Sequence, residues 1–100
     1  MNVVARPALL AFWSRHPDAE QPLKAWYAEA TRAAWSTPHD VKRAYPSASF
    51  LASNRVVFNI CGNKYRLITA VAYQFGAVYI KFVGTHAEYD KIDAAKVDQS

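Results

Sequence analysis

His86, Arg66, Lys64 and Tyr89 are the side chains in this sequence whose types and spacing suit chemistry on a phosphodiester. Lys64 and Arg66 stand two apart in a stretch that alternates like a β-strand, so both project from one face about 7 Å apart. Arginine offers a planar fork to two phosphate oxygens, and lysine supplies a mobile point charge. Two such cations stabilise the negative charge that builds on the equatorial oxygens when a neighbouring hydroxyl attacks phosphorus. His86 lies in the run Val83-Gly84-Thr85-His86-Ala87-Glu88, where Thr85 and Glu88 form a capping box that opens a short helix as a strand ends. The first turn of that helix is expected to turn free N–H groups toward an anion. A neutral imidazole beside a bound phosphate can remove the proton of a ribose 2′-hydroxyl. Tyr89, and Tyr79 in the preceding strand, can stack on bases or donate a proton. Plainer readings stand beside these: a solvent-exposed histidine in a capped turn, and tyrosines that simply pack.

The charge pattern around these residues points in the same direction. Between Asp40 and Glu88 stand Lys42, Arg43, Arg55, Lys64, Arg66 and Lys81, and no carboxylate. The chain carries 12 Lys and Arg against 8 Asp and Glu, a formal net charge of +4, so every carboxylate is confined to the flanks. A wholly positive stretch that also reads as a sheet is a landing surface for a polyanion, nucleic acid above all. A basic face that only keeps the protein soluble is the bland alternative.

Composition bounds the rest. One hundred residues at 52% hydrophobic make one domain, residues 1–100, with a single modest core. Charged residues at 20% and aromatics at 14% are those of a globular chain. Cys61 is alone, which excludes an intrachain disulfide and suits a reducing compartment. The apolar run Ala8 to Trp13 is shorter than a signal-peptide core, and no segment approaches the ~20 apolar residues that span a bilayer. A soluble cytoplasmic protein is expected, without a membrane partner. His16, His39, His86 and Cys61 do not form a metal-ligand spacing, and no Walker loop, dinucleotide fingerprint or nucleophile elbow occurs. No metal or cofactor is therefore expected, and Cys61 is read as a bystander in a turn.

The elements that must position these residues follow from periodicity. Pro7 suits the first turn of a helix that must stop at Pro17, with Leu9, Phe12, Trp13 and His16 on one face. Asp18 and Gln21 form a capping-box pattern for a second helix, whose stripe is Leu23, Trp26, Tyr27, Ala30 and Ala34. That spacing makes Trp13 and Trp26 core groups rather than a base-stacking platform. A third helix starts at Thr37–Pro38 and ends before Pro46. From Ser49 the period becomes two. Arg55–Ile60, Lys64–Tyr73 and Ala77–Val83 read as strands of an antiparallel meander, with turns at Gly62–Asn63 and Phe75–Gly76. Ala48–Leu51 can add a fourth strand, Asn2–Ala5 has the composition of a short one, and residues from about Ala94 read as a frayed end.

Two-residue loops set Asn59 opposite Arg66 and Ala70 opposite Lys81, and opposed residues point to one side. One face then carries Arg55, Val57, Asn59, Cys61, Lys64, Arg66, Ile68, Tyr79, Lys81 and Val83; the other carries Val56, Phe58, Ile60, Tyr65, Leu67, Thr69, Val71, Val78, Ile80 and Phe82. The apolar face needs a cover, and the helices are available. The expected class is α+β: an N-terminal helical hairpin on one face of a three- to four-stranded antiparallel sheet, a short C-terminal helix, and the cationic face left open.

The run Tyr45-Pro-Ser-Ala-Ser-Phe50 through Arg55-Val-Val-Phe-Asn-Ile60, then Gly62-Asn-Lys-Tyr-Arg-Leu67 and Phe82-Val-Gly-Thr-His-Ala-Glu-Tyr-Asp-Lys-Ile92, resembles the HigB toxins. These are RelE-like components of type II toxin–antitoxin systems, and the likeness covers roughly residues 1 to 93. It implies the RelE/ParE-like fold and a ribosome-associated mRNA endonuclease neutralised by a helix-turn-helix HigA antitoxin. Functional carry-over falls on Arg66, Lys64 and His86, then on Tyr89 and Asn63. Arg55, Lys81, Asn59, Tyr79, Lys42 and Arg43 complete the expected RNA-binding set. The same superfold hosts gyrase poisons that are not nucleases, and a non-catalytic RNA-binding module would use the same cationic face.

Overall fold

A computed structural model of the chain describes residues 1–98. In chain order the elements are β1 (Asn2–Val4), α1 (Arg6–Arg15), α2 (Glu20–Arg32), α3 (Pro38–Ala44), β2 (Ser49–Leu51), β3 (Arg55–Ile60), β4 (Tyr65–Ala72), β5 (Ala77–Thr85) and α4 (His86–Tyr89). The class is α+β, but the sheet is five-stranded and mixed, in the order β1-β5-β4-β3-β2, rather than three- to four-stranded and antiparallel. The addition is β1, which runs parallel to β5 with Asn2 opposite Ala77 and Val4 opposite Tyr79. It is held from both sides. The Asn2 N–H donates to the Gly76 carbonyl at 2.7 Å. The Met1 ammonium donates to the Thr31 and Ala33 carbonyls at 3.1 and 2.6 Å, where α2 ends and its last carbonyls favour a cation.

Leu9 and Phe12 of α1, with Leu23, Trp26 and Ala30 of α2, are buried against Val56, Phe58, Ile60, Leu67, Val71, Val78 and Ile80 of the sheet. Trp26 meets Phe58 edge-on at 5.4 Å between ring centroids, so it is a core group as its spacing predicts. Trp13 packs at the margin of the same core. Ala34 lies beyond the end of α2 and is exposed; Trp35 is buried instead. Burying each large apolar side chain contributes about 1.5–3 kcal/mol, which is why this face decides where the helices lie. Thr37 caps α3 as expected, accepting from the Asp40 N–H in a capping box.

Asp18 does not cap α2. A short 3-10 turn, Pro17–Ala19, precedes that helix, and the residue at its cap is Ala19. The Asp18 carboxylate instead accepts from the Lys64 ammonium and from the Tyr65 hydroxyl, the latter at 2.5 Å. These bonds tie the turn between β3 and β4 to the junction of α1 and α2.

Both hairpin connections span four residues, 61–64 and 73–76, which preserves strand parity. Asn59 does lie opposite Arg66. Ala70, however, pairs with Tyr79 rather than with Lys81. A bulge follows: Thr69 pairs with Ile80 and Ile68 with Phe82, so Lys81 is the extra residue. Beyond it the faces exchange. Phe82 joins Val57 and Ile68 on the side away from the helices, and Val83 packs toward the helical core. Gly84 makes this possible, because a Cβ there would lie 2.5 Å from Cζ of the Phe82 ring and 3.0 Å from the Glu88 carboxylate.

Gly84→Ala is therefore expected to cost the ~1–3 kcal/mol typical of overpacking, read as a lowered urea midpoint; an unchanged midpoint would show that Phe82 has room to move. The Lys64 bond, and then the Tyr65 hydroxyl, hold the Asp18 carboxyl below its usual range. The same contact raises Lys64 and Tyr65. A folded-state pKa below the unfolded value gives stability that is complete above about pH 4 and lost as pH falls through the folded value. The melting-temperature gap between the native chain and Asp18→Asn should thus narrow from about pH 6 to about pH 3. A constant gap would contradict the linkage.

Candidate nucleic-acid interface

Ladder parity places Arg55, Asn59, Arg66, Tyr79 and Phe82 on the face away from α1 and α2. Arg66 is the centre of what remains accessible there. It lies in β4 between Asn59 on β3 and Gly84 on β5, and it is half-buried. Its guanidinium donates to the Asn63 carbonyl at 3.1 Å and to the Tyr65 carbonyl at 3.4 Å. Its carbon lies 5.7 Å from the centre of the Tyr89 ring, a cation–π contact that sets the plane of the fork. Among the described residues no carboxylate forms an ion pair with it. A planar donor fork held by carbonyls and a ring, with its charge uncompensated, suits an incoming phosphate.

The one-turn helix α4 brings His86 to the same end of the sheet. His86 is exposed, its ring 6.5 Å from that of Tyr89, and its Nδ1 lies 3.3 Å from a carboxylate oxygen of Asp90. An imidazole that gives its Nδ1 proton to Asp90 keeps the Nε2 lone pair as its basic site. The Thr85–Glu88 capping box is present in full, with the Thr85 N–H donating to Glu88 at 2.8 Å and the Glu88 N–H to the Thr85 hydroxyl at 3.1 Å. Those two N–H groups are thereby satisfied, so the anion site expected at the start of this turn is largely occupied by the chain itself. His86, Arg66, Tyr89, Asn63 and Asn59 are brought together.

The remaining basic residues are not. Lys64 leaves the strand in the 61–64 turn and pairs with Asp18 on the helical side, so the expected twin cation to Arg66 does not exist. Lys42 donates to the Ala48 carbonyl at 2.9 Å and lies over the Phe50 ring, which shares the side of Val56 and hence of the helices. Arg43 is exposed on the same helix, α3. Arg55 is only 8% exposed and donates to the carbonyls of Ala94 at 3.1 Å and Val97 at 2.5 Å. Lys81 pairs with Asp98 at 3.3 Å and lies over the Tyr79 ring.

The cationic face is consequently not open, as the segregation of charges along the chain had implied. After α4 the chain returns across the sheet, and Tyr89, Ile92, Ala94 and Val97 pack with Leu51 against buried Val57, Ile68 and Phe82. Ala94 to Asp98 fall in the segment read as a frayed end; residues 99 and 100 lie outside the described residues. The sequence does hold a signal for this strap. Ile92 and Val97 are large apolar residues in a tail whose other members are alanine, charged or polar, and Phe82 becomes an apolar group in need of cover once the bulge turns it outward.

A family model described as HigB_toxin, the RelE-like toxic component of a toxin-antitoxin system, matches residues 19–92. The mRNA interferase toxin HigB of Escherichia coli (strain K12) is 27% identical over 92 residues, covering 90% of this chain and 88% of that protein. The mRNA interferase HigB of Shigella flexneri gives the same identity and coverage. That of Escherichia coli O6:H1 (strain CFT073) is 24% identical over 94 residues, covering 92% of this chain and 91% of that protein.

The strap makes its own prediction. Arg55→Met removes two hydrogen bonds from a charged group and, at about 1.5–3 kcal/mol for each, should lower the unfolding free energy by about 3–6 kcal/mol at most. Amide exchange in residues 92–98 should accelerate together with it. Unchanged exchange there would mean that Arg55 does not hold the strap.

Proposed function

The chain belongs to the HigB toxins, RelE-like toxic components of toxin–antitoxin systems, and on that premise we propose that it is an mRNA endonuclease acting on the ribosome. The 2′-hydroxyl of one nucleotide attacks the adjacent phosphate; the new O2′–P bond forms as the P–O5′ bond breaks. The products are a 2′,3′-cyclic phosphate and a 5′-hydroxyl. The observation that carries this reading is Arg66: a half-buried guanidinium with no carboxylate partner among the described residues, beside the His86–Asp90 pair. In this mechanism Arg66 holds the non-bridging oxygens as charge accumulates on them. His86 takes the 2′-hydroxyl proton at Nε2, and Asp90 stabilises the imidazolium that results. The departing O5′ requires a proton, and the Tyr89 hydroxyl is the candidate donor on this chain. Asn63 and Asn59 flank the phosphate. The reaction as written uses no metal ion.

Ribosome dependence follows from the small number of cations left at the site. With Lys64, Lys81 and Arg55 engaged elsewhere, Arg66 offers a free polyanion one strong contact, so an mRNA already held and oriented is the efficient substrate. A toxic component of this kind has an antitoxin as partner, and we take it to be a helix-turn-helix protein of the HigA type. On the same reading the α+β fold is RelE/ParE-like and the protein works in the cytoplasm. No helix among the described residues is long and apolar enough to cross a membrane.

Mapping transcript 5′ ends after brief induction tests the proposal. New ends bearing 5′-hydroxyls should appear inside reading frames, and Arg66→Ala should remove them while leaving the melting temperature nearly unchanged. The loss expected is 10²–10³-fold, as for removal of one oxyanion-stabilising donor (about 3–4 kcal/mol). Growth arrest with intact transcripts and a DNA-damage response would identify a gyrase poison instead. Full activity in Arg66→Ala would remove Arg66 from the mechanism.

A further inference from the structure

Arg55 and Lys81 carry two charges that the mechanism does not use. Arg55 is an almost fully buried guanidinium whose hydrogen-bond acceptors among the described residues are two neutral backbone carbonyls, those of Ala94 and Val97. Among the described residues it forms no ion pair. Lys81 is paired with the Asp98 carboxylate. The strap thus sets two carbonyl oxygens and a carboxylate against the cations of this face, the arrangement of acceptors that a polyanion's oxygens would otherwise provide. Tyr79, 39% exposed, lies one strand beyond Ala70 from Arg55, with its ring 5.8 Å from the Lys81 ammonium. Basic side chains interleaved with an exposed aromatic ring are what single-stranded nucleic acid binds, the cations taking phosphates and the ring stacking on a base.

We propose that Arg55, Lys81 and Tyr79 form a second, latent RNA-backbone subsite on which the segment Ala94–Asp98 lies, and that single-stranded RNA occupies it when this segment lifts. The proposal rests on reading this face as the RNA-binding one. Arg55 precedes Asn59 by four residues on β3, and Asn59 is opposite Arg66, so the backbone of Arg55 stands about 13 Å along the sheet face from the Arg66 position, with Lys81, at the bulge opposite Ile68, between the two levels. An RNA strand that contacts both follows a track down the sheet. Only the last residues need to move. Tyr89 and Ile92 belong to the same apolar cluster and stay over Ile68 and Phe82, while release of Ala94, Val97 and Asp98 frees both cations. For Arg55 the exchange replaces neutral acceptors with charged ones, which form the stronger hydrogen bonds.

The test is equilibrium binding of a 2′-O-methylated single-stranded RNA, which cannot supply the attacking hydroxyl, to full-length protein over a range of salt concentrations. Val97→Ser weakens the strap without changing charge. It should bind more tightly than the native chain, with a plot of log affinity against log salt steeper by about 1.4, the release expected for two added phosphate contacts at ~0.7 each. Adding Lys81→Gln in that background should remove about half of the increase. Asp98→Asn should steepen the slope by about 0.7 through Lys81 alone, whereas Glu20→Gln, which frees Lys24 on α2 and matches the charge change, should not. Salt-dependent binding by the native chain with the same affinity and slope in both strap variants overturns the latent subsite and leaves the Arg66 site standing. Absence of binding by every variant likewise overturns the latent subsite, because unmasked Arg55 and Lys81 would hold free RNA, and leaves the Arg66 site to the transcript mapping above.

Discussion

A sheet has two faces, and this chain has a pair of long helices to cover only one of them. Val57, Ile68 and Phe82 are almost fully buried on the opposite side, where Leu51 of β2, Tyr89 of α4 and Ile92, Ala94 and Val97 of the strap after it pack against them. Leaving three such side chains in water would forfeit roughly 1.5–3 kcal/mol apiece, a large share of the stability of a domain this size. The strap is short and largely polar, so it needs an anchor as well as apolar contacts. Arg55 provides it, reaching two of its carbonyls from the sheet. Coverage of the second face therefore governs which basic groups stay accessible.

The bulge at Lys81 is the other determinant of the site. Without the extra residue, Phe82 would point into the helical core and Val83 would face outward. With it, the Phe82 ring folds across Gly84 and joins the floor beneath Tyr89. Tyr89 in turn lies against the Arg66 guanidinium, and α4 carries His86 alongside. One backbone irregularity thus connects apolar packing to the orientation of Arg66, Tyr89 and His86, the residues proposed for catalysis. Bulges commonly re-aim side chains near functional sites, and this one does so by exchanging which residue faces the core.

Electrostatically the molecule is more balanced than its linear charge pattern. Its acidic flanks fold back onto the basic middle: Asp18 onto Lys64, Asp98 onto Lys81, and Asp90 against His86. These exposed or partly exposed pairs contribute little stability individually, but they withdraw cations from the surface. What this leaves for the proposed reading is the Arg66 guanidinium, half-buried and without a carboxylate partner among the described residues.

The sequence by itself determined the two secondary-structure periods, the helix caps at Thr37 and Thr85, the α+β class, the Asn59–Arg66 register and the family. Each of these rests on contacts within a few residues or on the strict alternation of a strand, which survives errors in loop length. The grouping of Arg66, His86, Tyr89, Asn59 and Asn63 was legible for the same reason, since all lie on one hairpin or on the turn and helix beside it. The fates of Asp18, Lys64, Arg55 and Lys81 were decided only by tertiary structure. Their partners lie 17 to 47 residues away, and no local rule says where a charged side chain finds its partner. The bulge was equally invisible, because either face of β5 could bury Phe82 or Val83. What chose between them was a surface that needed covering and a tail able to reach it.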